Sequence, residues 1–260
     1  MKRIVSVIMT MVFFACLFAF SEENPIKVGS EIVFGHYEQD NTSANGKEAI
    51  EWIVLDLDKE NNRALLLSKY GLDCKRLDSK SAYPTWAKCE TRMWLNEKFL
   101  FDAFSADEQE MILKTIVKTE NNDIWIPIAK AKGWHHTPLS GGPDCEDFLF
   151  LLSIEEIIYY GGFDSIEDVY HIPNENMKVI PTPYAIDQGA YPYYGNAEKF
   201  KINDTGCGWW WLRSPGNFAS DAALVYYDGS VTERRIDNHL NDCVRPAFWL
   251  DLNMYENTAD

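Results

Sequence analysis

The sequence predicts an α+β fold: a mixed, twisted antiparallel sheet with two or three helices and long irregular loops, in one domain over residues 22–260. Three observations predict it. Two apolar runs, residues 51–58 and 62–69, flank Lys59-Glu60-Asn61, the pattern of a hairpin. Two helical stretches follow, the second opened by Ser105-Ala106-Asp107-Glu108, where a serine side chain and a glutamate three residues on cap each other's backbone N–H groups. The last fifth carries Trp209-Trp210-Trp211, then apolar runs around Asp228-Gly229, then a final apolar strand ending Phe248-Trp249-Leu250.

Taken in order, Lys2-Arg3 followed by an apolar run to Phe20 and small residues at Ala19 and Ser21 reads as a signal peptide of residues 1–21. Lipidation at Cys16 is the competing reading, disfavoured by Phe13-Phe14 before it and Leu17-Phe18 after it. The expectation is export to the periplasm, cell surface or medium, with no transmembrane segment after cleavage. Losing Lys2 and Arg3 moves the formal charge from −16 to −18, which repels nucleic acid and anionic lipid. With 46% hydrophobic and 14% aromatic residues, the chain can bury a large core.

Residues 30–37 read as a strand and 41–47 as a polar loop. Trp52, Val54, Leu55, Leu65 and Leu67 are candidate core of the first hairpin. Residues 91–104 read as a helix, and a second helix from Ser105 is expected to run to about Lys118. Ile124-Trp125-Ile126 suggests a short strand, and 133–143 a loop. His135, His136, Asp144, Cys145 and Asp147 cluster here, but their spacing matches no standard ligand pattern, so neither metal nor other cofactor is expected. Ser153-Ile154-Glu155-Glu156 is a second capping box, opening a helix that Gly161-Gly162 stops. Residues 180–194 are rich in Pro and Tyr, a tyrosine loop that suits either ligand contact or simple packing. The hairpin at 222–236 is expected to turn in two residues at Asp228-Gly229.

FG-x-Y at 34–37, EWIVLD at 51–56, ALLLSKYGLDC at 64–74, TW-x-x-C-x-x-R-x-WLN at 85–96, FLLSIEE at 150–156, WWLRSPG at 210–216 and VRPA at 244–247 occur in one order. This series resembles a bacterial domain family of unknown function, over nearly all of the chain after residue 33. That family in turn is similar to the C-type-lectin-like fold of formylglycine-generating enzymes and of the variable proteins of diversity-generating retroelements. The resemblance implies a C-type-lectin-like architecture, with ligands met by the loops and hairpin of the C-terminal half. Tyr226, Asp228, Arg234, Arg235, Asn238 and Asn241 are the expected ligand contacts there, for a protein or carbohydrate partner. Cys74 and Cys89 lie close in sequence and Cys207 and Cys243 each precede a strand, so disulfides Cys74–Cys89 and Cys207–Cys243 are expected, with Cys145 left over; buried free thiols are the alternative.

No phosphate-binding loop, dinucleotide glycine pattern, zincin helix or nucleophile elbow is present, and Ser214 lies outside any Gly-x-Ser-x-Gly context. The leading expectation is therefore a non-enzymatic exported binding domain. The rival is an oxidising enzyme of the formylglycine-generating class, using Cys207 and Cys243 to hold Cu(I). Trp52, Trp94, Trp210 and Trp249 are expected in one core, and the strand at 32–34 is expected to pair with the one at 248–250. Arg213 and Arg245, each beside large aromatics and next to Ser-Pro or Pro, are expected to be internal organisers and not ligand contacts, the alternative being one shared pocket that clamps an acidic ligand.

Overall fold

The structure, a computed structural model, describes residues 26–79, 82–83, 85–236 and 242–256; the signal-peptide expectation, Asn238 and Asn241 lie outside these. Two five-stranded sheets carry the fold. The first contains β1 (Glu31–Tyr37), β2 (Glu48–Asp58), β3 (Arg63–Ser68), β5 (Ile112–Leu113) and β14 (Ala247–Asp251), in the order β1-β2-β3-β14-β5 and antiparallel throughout. The second contains β4 (Asp73–Cys74), β10 (Trp209–Pro215), β11 (Asp221–Val225), β12 (Val231–Arg235) and β13 (Asp242–Val244), in the order β12-β11-β10-β13-β4. Here β10 and β13 run parallel, which makes this sheet mixed. Two small ribbons, β6 (Thr115–Val117) with β7 (Cys145–Asp147) and β8 (Lys201–Ile202) with β9 (Thr205–Gly206), complete the strands.

The chain passes between the sheets at two neighbouring corners. One runs from β3 through Gly71 to β4, the other from β13 through Arg245-Pro246 to β14. Backbone bonds tie the corners together: Ser68 N–H donates to Pro246 O at 2.9 Å and Leu72 N–H to Val244 O at 3.1 Å. Gly71 has no room for a side chain, because a Cβ there would lie 2.7 Å from that of Cys243.

The predicted hairpin of β2 and β3 is present, with Trp52, Val54, Leu65 and Leu67 buried and Leu55 half-buried at the edge. Residues 90–103 are helical, interrupted by one π turn at Leu95–Phe99. Both capping boxes form, at Ser105 with Glu108 and at Ser153 with Glu156, and Gly162 ends the second helix at φ 74°.

Four expectations need correction. The helix from Ser105 stops at Met111, not near Lys118, because Ile112, Thr115, Ile116 and Val117 are β-branched and Ile112 finds a ladder partner in Leu250. Ile124-Trp125-Ile126 is helical, a 3₁₀ turn Asn122–Trp125 running into the helix Ile126–Lys132, with Pro127 in its first turn. The β11–β12 turn is Tyr227-Asp228-Gly229 between Tyr226 and Ser230, one residue longer than predicted, and Gly229 takes φ 80° as the longer loop requires. β1 does not pair with β14. They share a sheet but stand two strands apart, touching through Phe34 and Phe248, whose ring centroids are 5.7 Å apart.

The buried residues of both sheets form one contiguous core. Of the four predicted core tryptophans, Trp52 and Trp210 are fully buried, whereas Trp94 and Trp249 are half-buried at its rim, capped by Lys75 at 4.4 Å and Arg63 at 4.3 Å. Trp86, Trp125 and Trp211 are fully buried instead. Each of the five buried indoles donates its N–H, to Phe34 O, Asp147 Oδ2, Pro215 O, Met177 O and Lys75 O for Trp52, Trp86, Trp125, Trp210 and Trp211. Burying such large rings is favourable only with that donor satisfied.

Candidate functional site

Alternation along β10 sends Trp210 to the core and leaves Trp209 half-buried on the other side, at the strand's outer end. In the parallel register, Trp209 stands opposite Asp242 on β13. The β11–β12 turn brings Tyr226 and Tyr227 against the same indole, at 4.7 and 5.2 Å between centroids. Tyr193 and Phe200 extend the cluster, 5.6 and 5.9 Å from Tyr227. From β12, the Arg234 guanidinium lies 4.2 Å over the Trp209 ring.

These groups leave a concave pocket of about 240 Å³ lined by Tyr191, Trp209, Tyr227, Arg234 and Asp242. Two polar atoms at its wall have no hydrogen-bond partner among the described residues: Trp209 Nε1 and Asp242 Oδ2. The other Asp242 oxygen accepts from Arg234 Nη1 at 3.3 Å. Burial pushes the Asp242 carboxyl up to about 7, more than the nearby Arg234 charge lowers it. Burial and the neighbouring Tyr226 hold the Tyr227 phenol up at about 12. The pocket thus offers flat apolar rings, an indole N–H without a partner among the described residues, and one carboxyl that accepts or donates around neutral pH.

Of the predicted contacts, Arg234 lines this pocket and Tyr226 belongs to its ring cluster, while Arg235 is exposed at the end of β12. Asp228 is buried, its Oδ1 accepting from the Ser230 N–H at 3.1 Å and hydroxyl at 2.6 Å, so it shapes the turn. Trp209, Tyr227 and Asp242 were not singled out. Alternation along the triple tryptophan puts one face in the core and leaves the other for a second or partly wet surface, but nothing in the sequence places Asp242 beside Trp209, since that neighbourhood depends on a parallel pairing.

Arg213 and Arg245 are both buried, as expected. Arg213 donates to Lys118 O, to Leu151 O at 2.7 Å, and with both terminal nitrogens to Glu156 at 2.5 and 3.0 Å. Arg245 lies 4.9 Å from the Trp210 ring and donates through Nε to Ser68 O at 2.8 Å.

The expected disulfides are not formed. Cys74, Cys89, Cys145, Cys207 and Cys243 are all buried, and none is joined to another by a disulfide. Cys74 stands opposite Cys243 in the β4–β13 register, and Cys89 donates to Leu77 O at 3.0 Å. Burial raises the Cys74 and Cys89 thiols to about 12, Cys207 to about 11, and Cys243 well above its ordinary value. The cluster at 135–147 separates into structural roles. Asp147 binds Arg92 at 2.7 Å and the Trp86 indole, and His136 Nδ1 pairs with Asn217. Glu38, Asp40 and Glu48 bring carboxylates within 4.8 Å of one another, but Glu48 accepts the Gln39 and Asp40 amides and orders that loop.

Fold and pocket together define an α+β domain with an aromatic, partly polar recess on its second sheet. The family model for DUF6273, a domain of unknown function, matches residues 61–252, and the chain belongs to that family. No curated protein and no solved structure matches significantly. Among the described residues, no helix is long and apolar enough to cross a membrane.

Proposed function

We propose that this chain is an exported, non-enzymatic binding domain of C-type-lectin-like architecture, and that its ligand is a glycan held in the Trp209–Tyr227–Arg234–Asp242 pocket. One observation carries the reading: aromatic rings surround two buried polar atoms that lack partners among the described residues. A pyranose presents a flat C–H face and a rim of hydroxyls. The face suits Trp209 and Tyr227, while ring hydroxyls suit Asp242 and the indole N–H. Tyr191, half exposed, widens the contact at little entropic cost. The architecture is supported by the presence of the first and last long strands in one sheet and by the irregular 170–208 stretch, although β1 and β14 are not neighbours. Export rests on the leader-like residues 1–21, and N-terminal sequencing of the mature protein checks it.

The oxidase reading has less support, because Cys207 and Cys243 are both fully buried and the residues around them match no motif of that enzyme class. The decisive experiment is a glycan array followed by calorimetric titration of the best binder against wild type, Trp209→Ala and Tyr227→Ala. A loss of at least about tenfold in affinity, with unchanged circular dichroism, is expected for both variants. An array without binders, or equal affinities, overturns the proposal.

A further inference from the structure

A different recess, of about 590 Å³, lies against the corner where the chain crosses between the sheets. Its wall is largely apolar, with Ile53, Leu55, Leu67 and Ile180 among the contributors. Three cations reach it, Lys69, Lys178 and Arg245, against a single carboxylate, Glu175, in a chain whose formal charge is −16. Two of the cations are already paired. Lys69 binds Glu31 and Glu51 at 2.8 and 2.7 Å, and Lys178 binds Glu175 at 2.7 Å.

Arg245 is not. It is 1% exposed, yet its acceptors are all neutral carbonyls: Ser68 O for Nε, and Met177 O and Lys178 O for Nη1 at 3.3 and 3.4 Å. Its Nη2 makes no hydrogen bond among the described residues. The other buried or half-buried arginines whose ion pairs define them, Arg63, Arg92, Arg213 and Arg234, each hold a carboxylate. A buried guanidinium normally has such a partner, since desolvation is otherwise uncompensated. Burial lowers its pKa to about 9, offset only in part by the neighbouring Cys243 and Cys207 thiols, which still leaves it charged at neutral pH.

We propose that this cavity binds a small monocarboxylate with an apolar aryl or branched-alkyl body, its carboxylate on Arg245 and its body against the aliphatic wall. One uncompensated positive charge calls for a monoanion, whereas phosphate or a dicarboxylate would bring a second charge into an apolar recess. The site is independent of the glycan pocket, which uses other residues of the second sheet.

The test is thermal unfolding of the full chain with phenylacetate, 4-methylvalerate, phenylacetamide and inorganic phosphate. At about a hundredfold excess over Kd, a monocarboxylate is expected to raise Tm by roughly 5–10 °C. The isosteric amide and phosphate should leave Tm unchanged. Because Arg245→Lys risks unfolding, Ile202→Trp, at the half-buried rim, serves as the filling variant; it should abolish the response while Arg245 stays in place. Trp209→Ala should leave the response intact, which separates this proposal from the glycan reading. Equal shifts with acid and amide, no shift with either acid, or a response that survives Ile202→Trp overturns it.

Discussion

Asp242 carries the one titration in the pocket that solution measurements can follow cleanly. Its folded pKa of about 7 exceeds the roughly 3.9 of an unfolded aspartate, so between those values the native state holds more proton than the unfolded one. Stability therefore falls as pH rises through about 4 to 7 and levels off above. Glu233, likewise raised to about 7 by burial, adds a contribution of the same sign. His171 acts oppositely, since burial depresses its imidazole, but it is common to wild type and variant. Asp242→Asn should thus flatten the decline of Tm between pH 5 and 8. Identical slopes would assign the titration elsewhere. The sequence pointed to Arg234 and Tyr226 because polar and aromatic residues on a hairpin are visible as such. It did not reveal Asp242, whose importance comes from being buried opposite Trp209 across a parallel ladder, a juxtaposition of residues 33 positions apart.

Elements with local signatures were legible, and those decided by distant partners were not. The two capping boxes, the β2–β3 hairpin and the β11–β12 hairpin follow from residues within a few positions of each other. The segment after Met111 was read as helix because Ile112, Thr115 and Ile116 fit helical spacing, and only the β14 edge makes Ile112–Leu113 a strand. One element joins local and distant chemistry. Glu156 caps the N-terminus of the helix Ile154–Gly161 and also receives both terminal nitrogens of Arg213 on β10. Ser153→Ala should cost about 1 kcal/mol through the lost cap. Arg213→Lys should cost roughly 2–3 kcal/mol, because an ammonium cannot meet two carbonyls and a bidentate carboxylate together. Since both act through Glu156, urea unfolding of the double variant should show less than the sum. Strict additivity would mean the cap and the arginine are energetically separate.

At the scale of the molecule, the core is centred on indoles from both sheets, and their depth sets the expected energies. Trp210→Ala, which removes a fully buried ring and the surface that Arg245 stacks on, should cost roughly 3–5 kcal/mol. Trp249→Ala, at the rim beneath Arg63, should cost no more than about half of that. Similar losses would mean that the rim residue is as deeply engaged as the central one. The sequence located the aromatic strands but not which rings reach the centre, since that depends on how two sheets meet. The position of β14 has a consequence in time. It lies between β3 and the edge strand β5, so β3 lacks its second neighbour and β5 has none until residues 247–251 are present. At about 5–20 residues per second of synthesis, β1 to β3 wait roughly ten seconds or more for the strand that completes their sheet, so this sheet closes late on a growing chain.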